Sequence, residues 1–248
     1  MINVRFSGFS AGLFQFLSTL AEHNSREWFD EHRRQYQGDV LAPVKSFVGD
    51  LGPIIRLLNE AFETMPRVGR TISRINNNLR FHRNRPPYRP WIYVTFARRG
   101  EKWTTGPVLF VGLEAHGVSV GFYPGGKPSR AAQAGLRRNL RLFERYLEER
   151  QIAETYWELA GAEGGVKKWP LPPSARRWVK LDSFMVGEHF TANDPILSRR
   201  RFLDRAQKIL LDLYPLWLFA TSDNVRDDYE LYNENIHSLA RPLTRAAG

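Results

Sequence analysis

The chain has 248 residues, is 42% hydrophobic and 13% aromatic, and contains no cysteine. That content fills a sizeable core and argues against disorder, and the missing cysteines exclude disulfides, thiol catalysis and cysteine metal sites. The net charge of +10 is concentrated: residues 67–102 hold ten Lys/Arg against one acid, Glu101, so this strip is +9 and the remainder +1. Such asymmetry speaks to partners rather than to fold.

In chain order, the apolar period predicts an amphipathic helix over Ser10–Ala21 rather than a signal peptide, because only Arg5 is basic before it and no small-residue cleavage site follows. Asn24-Ser25-Arg26-Glu27 has the pattern of a capping box, with Asn24 accepting an orphan N–H and Glu27 reaching back. A helix bearing Trp28, Phe29, His32 and Tyr36 is expected next. Pro43 suits the first turn of a third, with Phe47, Leu51, Ile54, Ile55 and Leu58 on its apolar side. The period then changes. Trp91–Ala97, Val108–Leu113 and Val118–Tyr123 have strand composition, and their short links favour antiparallel neighbours.

Ser129–Arg150 is predicted to be a helix, with Leu136, Leu140, Phe143 and Leu147 as its stripe. Trp169-Pro170-Leu171-Pro172-Pro173 is expected to be a loop or stiff turn, and Ser183–Gly187 a strand. Ser198 suits the cap of a helix through Leu213, with Leu216–Ala220 adding apolar material beyond Pro215. The acids between Asp223 and Glu234 suggest an exposed tail. No stretch approaches the ~20 apolar residues of a membrane span. The expected class is α+β, with one domain over 1–222 and a tail over 223–248 that is acidic, then basic.

The basic strip centres on RINNNLRFHRNRPPYRP, residues 74–90, with five arginines and no acid. Its prolines fix φ and withhold N–H groups, so the turn into the next strand is expected to be stiff. The leading reading is a binding module for an anionic partner, nucleic acid or a phosphorylated ligand. Arg74, Arg80, Arg83, Arg85 and Arg89 would contact phosphates, while Tyr88 and Trp91 stack. A second reading is an enzyme in which the same arginines hold a small anionic substrate and His82, inside the cluster, moves a proton. A third is an interface for an acidic protein partner or another copy of the chain. The bland alternative pairs these arginines internally, with acids of the C-terminal tail or with Glu114.

Other motifs carry less. Gly121 to Lys127 nearly matches a phosphate-binding P-loop, but Pro128 stands where Ser or Thr must hold Mg²⁺, and the strands look antiparallel. A glycine turn before a helix is preferred there, with anion binding at the Ser129 helix start as a residual idea. His23, His32, His82, His116, His189 and His237 show no metal-ligand spacing, so no metal or cofactor is expected. No nucleophile motif occurs.

Phe6-Ser7-Gly8-Phe9, then Phe16-Leu17, Asn24, Glu27-Trp28-Phe29, Tyr36 and Pro43, resemble the opening of the domain of unknown function 2461 family. The strip is similar to that family's central signature, R-I-x-R-D-x-R-F-x-K-D-K-x-P-Y-K, through Arg74-Ile75, Arg80-Phe81, Arg83, Arg85 and Pro87-Tyr88-Arg89. Gly121-Phe122-Tyr123 with Leu136-Arg137, Lys167-Lys168-Trp169-Pro170 and Leu181-Asp182-Ser183-Phe184 extend the resemblance over most of residues 5–220. Asn78 and Asn84 stand at the signature's two aspartates and Asn77 at an internal arginine. An asparagine cannot serve as a carboxylate base, though it can still orient a neighbouring base. The resemblance implies relatedness of fold, a bacterial source and no assigned activity. With the lack of cysteine it leads to the expectation of a cytoplasmic protein without a membrane partner.

Overall fold

A computed structural model describes residues 5–80, 84–101, 106–125, 134, 137–159, 168–170 and 185–241. Four helices open the chain: α1 (Ala11–Glu22), α2 (Arg26–Glu31), α3 (Arg33–Gln35) and α4 (Ala42–Leu58), with a π-helical segment, Tyr36–Leu41, joining α3 to α4. Strands β1 (Trp91–Phe96), β2 (Val108–Glu114) and β3 (Gly117–Tyr123) follow, then helices α5 (Leu140–Glu149) and α6 (Ile152–Thr155). Strands β4 (Trp157–Leu159), β5 (Lys168–Pro170) and β6 (Met185–Thr191) precede α7 (Arg201–Thr221) and α8 (Val225–Leu239). The class is α+β. The six strands form one sheet in the order β1-β2-β3-β6-β4-β5, every neighbour antiparallel.

Alternation along the strands builds two faces. Ile92, Val94, Leu109, Val111, Val118 and Val120 join the main core with the helices, while Val108, Phe110 and Leu159 form a smaller cluster with Tyr93, Tyr123 and Met185. Where β3 meets β6, Gly121 stands opposite Gly187. A Cβ on Gly121 would lie 2.1 Å from the Val186 carbonyl oxygen, and one on Gly187 2.0 Å from that of Val120. Only glycine lets the two strands come this close.

Helix α7 is the centre of the core, with fifteen of its 21 residues buried. Pro215 lies inside it, so the expectation of a helix ending near Leu213 is corrected. A proline has no N–H for the carbonyl four residues back, here Leu211. That carbonyl is instead taken by the Tyr232 hydroxyl of α8, at 2.8 Å. The next carbonyl, Asp212, receives the Tyr146 hydroxyl of α5, also at 2.8 Å. The Asp212 carboxylate, mostly buried, accepts from the Tyr156 hydroxyl at 2.6 Å and pairs with Lys208. Burial, aided by the nearby carboxylate, pushes the Tyr146 and Tyr156 hydroxyls well above their usual titration range, so both remain donors.

Two other expectations change. Residues 223–234 are not an exposed tail: Val225, Tyr229, Tyr232, Ile236 and Leu239 form the buried stripe of α8. The acids obscured that spacing because they occupy the solvent side, and Asp227 and Asp228 lie in the first turn, where a helix favours negative charge. Trp169 and Pro170, expected to open a loop or stiff turn, instead belong to β5 beside β4. Of the expected Ser129–Arg150 helix, Leu140–Glu149 forms α5, while residues 126–133, 135–136 and 171–184 lie outside the described residues. Among the described residues no helix is long and apolar enough to cross a membrane.

Tyr232→Phe is expected to destabilise the protein by about 1–3 kcal/mol, because the Leu211 carbonyl is left buried and unpaired; urea unfolding checks this. Gly187→Ala should cost about 1–3 kcal/mol or more through overpacking against the β3 backbone, with the same readout.

Candidate anion-binding cleft

The strip between α4 and β1 extends the sheet. Residues 61–77 run antiparallel to 87–99 through the bridges Phe62–Arg98, Ile72–Val94 and Asn76–Tyr88. The Thr95 amide donates to the Thr71 carbonyl at 2.8 Å and the Arg89 amide to that of Ile75 at 2.7 Å. A tight hook, Arg67–Ile72, folds back on this edge, with the Ile72 amide donating to the Arg67 carbonyl at 3.2 Å. Gly69, at φ +83°, makes the turn, and the Arg74 guanidinium lies against it.

Between hook and edge opens a cleft of about 630 Å³. Arg70, Arg74, Arg80 and Arg89 line it, with Ser73, Thr95 and the run Asn76, Asn77, Asn78. No acid and no aromatic ring is among its described lining residues. Arg70 pairs with Glu63 at 3.7 Å. Arg74, Arg80 and Arg89 have no carboxylate partner among the described residues.

Asparagines fix the cleft's geometry. The Asn77 amide nitrogen donates to the Pro86 carbonyl at 2.7 Å, and its oxygen accepts from Arg89 Nε at 2.9 Å, which aims the guanidinium. The Asn78 oxygen accepts the Arg80 amide at 3.2 Å and shapes the turn there. Asn24 was expected to cap a helix. The cap is Ser25, whose hydroxyl accepts from the Trp28 amide at 3.1 Å. Asn24 instead grips the main chain of Tyr88 on both sides, accepting its N–H at 3.0 Å and donating to its carbonyl at 2.9 Å.

The structure brings together three of the expected arginines, Arg74, Arg80 and Arg89, and adds Arg70. Arg85 is exposed but outside the cleft lining, and Trp91 is half-buried at the start of β1, also outside it. Tyr88 is corrected: its ring is 6% exposed and stacks on Phe29 at 4.0 Å, so it anchors the loop and offers no face to a ligand. His82 and Arg83 lie outside the described residues. Among the described residues Glu114 does not pair with an arginine of the strip. It accepts the Tyr93 hydroxyl at 3.1 Å and lies 2.9 Å from His116 Nε2.

That pairing belongs to a polar group on the sheet's second face. Ser119 Oγ and His189 Nδ1 are 3.0 Å apart, and the His116 and His189 rings are centred 5.7 Å from each other. The register sets Ser119 opposite His189, 70 residues away in sequence, so no local pattern could have announced it. Among the described residues no group of three or more His, Cys, Asp or Glu is arranged to hold a metal ion.

Residues 12–219 match the family described as conserved hypothetical protein, DUF2461. The chain belongs to this family. The match to DUF2461 spans the whole cleft and ends in the last turn of α7, before α8. No curated protein matches the chain. Two of the three asparagines that depart from the signature resembled by this DUF2461 protein, Asn77 and Asn78, are the ones that orient Arg89 and the Arg80 backbone.

Asn24→Ala should cost about 1–3 kcal/mol, because it strips partners from two partly buried backbone groups of Tyr88. Chemical unfolding measures the loss. Asn24→Asp, which keeps the acceptor but not the donor, should fall between wild type and Ala.

Proposed function

We propose that this chain is a binding module for an anionic ligand, held in the cleft by Arg74, Arg80 and Arg89 with Arg70 at the rim. The observation that carries the proposal is the convergence of four arginines on one cleft whose described lining contains no acid. Gathering like charges raises the energy of the empty protein, and an anion relieves it. Guanidinium forks match phosphate and carboxylate oxygens two at a time. The support of Arg89 by Asn77, and of the loop by Asn24 and Phe29, lowers the ordering cost of binding.

Charged residues on an edge strand also discourage pairing with other sheets. That role needs no concavity and no half-buried, oriented arginine, and Arg89 is both. The described lining supplies hydrogen-bond donors and neither imidazole nor carboxylate to move a proton, which favours binding over catalysis. The cysteine-free sequence supports a cytoplasmic setting for this function.

Inorganic pyrophosphate should bind the intact chain in calorimetric titration, more weakly as salt is raised, because these charges are partly exposed and screened. Arg80→Ala and Arg89→Ala should each weaken binding about ten- to a hundredfold, the effect of losing charge-assisted hydrogen bonds. Arg56→Ala, on α4 and outside the cleft lining, should leave it unchanged. Equal affinity in wild type and both cleft variants would refute the proposal.

A further inference from the structure

We infer that the cleft takes a small sugar or polyol carrying two phosphate groups, and not a nucleic-acid strand; this rests on the anion-binding reading above. Three features of the cleft lead there.

The first is charge. Arg70 is shared with Glu63, while Arg74, Arg80 and Arg89 have no carboxylate partner among the described residues, so the cleft presents three to four positive charges. One phosphomonoester carries about −1.5 to −2 at neutral pH. A single phosphate therefore leaves cations uncompensated, and two phosphates match them.

The second is that no stacking platform stands among the described lining residues. Proteins that hold single strands draw on bases stacked against aromatic rings. The described cleft lining has no ring, and the nearby Tyr88 already spends its face on Phe29 at 4.0 Å. The volume of about 630 Å³ is that of a small-molecule site.

The third is the remaining polar lining. Ser73 Oγ accepts the Tyr93 amide at 2.9 Å, which leaves its hydrogen to donate. The Asn78 oxygen is taken by the Arg80 amide, which leaves its NH₂ to donate. Asn76 is exposed at the cleft and can both donate and accept. Uncharged groups of this kind, set among guanidinium groups, suit the hydroxyls of a polyol between its phosphates.

The test is calorimetric titration of the full chain with four probes: a hexose bisphosphate, the matching hexose monophosphate, inorganic pyrophosphate, and a single-stranded oligonucleotide. The bisphosphate should bind at least about tenfold more tightly than the monophosphate, the signature of a second charge-assisted phosphate contact. Asn76→Ala should weaken the hexose bisphosphate but not pyrophosphate. Arg89→Lys, which keeps the charge and loses the fork, should weaken both, with circular dichroism confirming that the variant is folded. Equal affinity for mono- and bisphosphate overturns the inference. So does an oligonucleotide that binds more tightly than the bisphosphate and is lost in Arg89→Lys; that result moves the ligand class to nucleic acid while leaving the anion cleft in place. If neither pyrophosphate nor any other probe binds, the anion-binding reading falls together with the inference.

Discussion

A proline in the middle of the most buried helix sets a condition that the rest of the fold must meet. Pro215 withholds the N–H that Leu211 would have used, and both the Leu211 and Asp212 carbonyls point into the core. A buried carbonyl without a donor is expensive, so another helix must deliver a donor to Leu211, and a second hydroxyl reaches the neighbouring Asp212 carbonyl in the same turn of α7. Tyr232 from α8 and Tyr146 from α5 do so, and Tyr156 reaches the Asp212 carboxylate beside them. The position of α8 against α7 answers this local deficit as well as apolar contact, and the Tyr146 and Tyr156 hydroxyls tie α5 and the end of α6 to the same turn. With α7 seated on β2 and β3, the sheet is fixed as well.

The cleft depends on a smaller device of the same kind. Loop residues 84–90 have few backbone hydrogen bonds of their own, since Pro86, Pro87 and Pro90 supply no donor. Order comes from outside the loop, through the Asn24 side chain on both sides of Tyr88 and through the ring of Phe29. The next residue, Arg89, is thereby aimed from its backbone as well as from Asn77. A loop that looks irregular thus presents one of its charges in a defined direction, anchored by the link between α1 and α2 and by α2 itself.

Much of this was legible beforehand, and the parts that were not share a cause. Strands β1 to β3 announced themselves because alternating apolar residues and short links are local signals. The arginine strip did so because charge can be counted. Asn24 looked like a cap, since a capping box and a side-chain clamp share the same letters, and its true partner is 64 residues away. Helix α8 looked like a tail because its acids drew notice from the four-then-three spacing of Val225, Tyr229, Tyr232 and Ile236. Arg70 was one basic residue among ten until the Gly69 turn folded it back over the edge. The pairing of Ser119 with His189 needed a register that only the assembled sheet defines.

The strand order carries a temporal meaning. β6 lies between β3 and β4, yet it follows both in the chain. While the protein is being synthesised, β3 waits with an open edge and the β4–β5 hairpin has no sheet to join. Helix α7, which must cover the same sheet, is still to come. Long-range pairings of this kind are slow to form and leave strand edges exposed in the interval. The meeting of Gly121 with Gly187 is therefore a late closure, at which two half-built pieces become one sheet. The basic border beyond β1, already complete by then, keeps at least one side of the unfinished sheet from seeking a wrong neighbour.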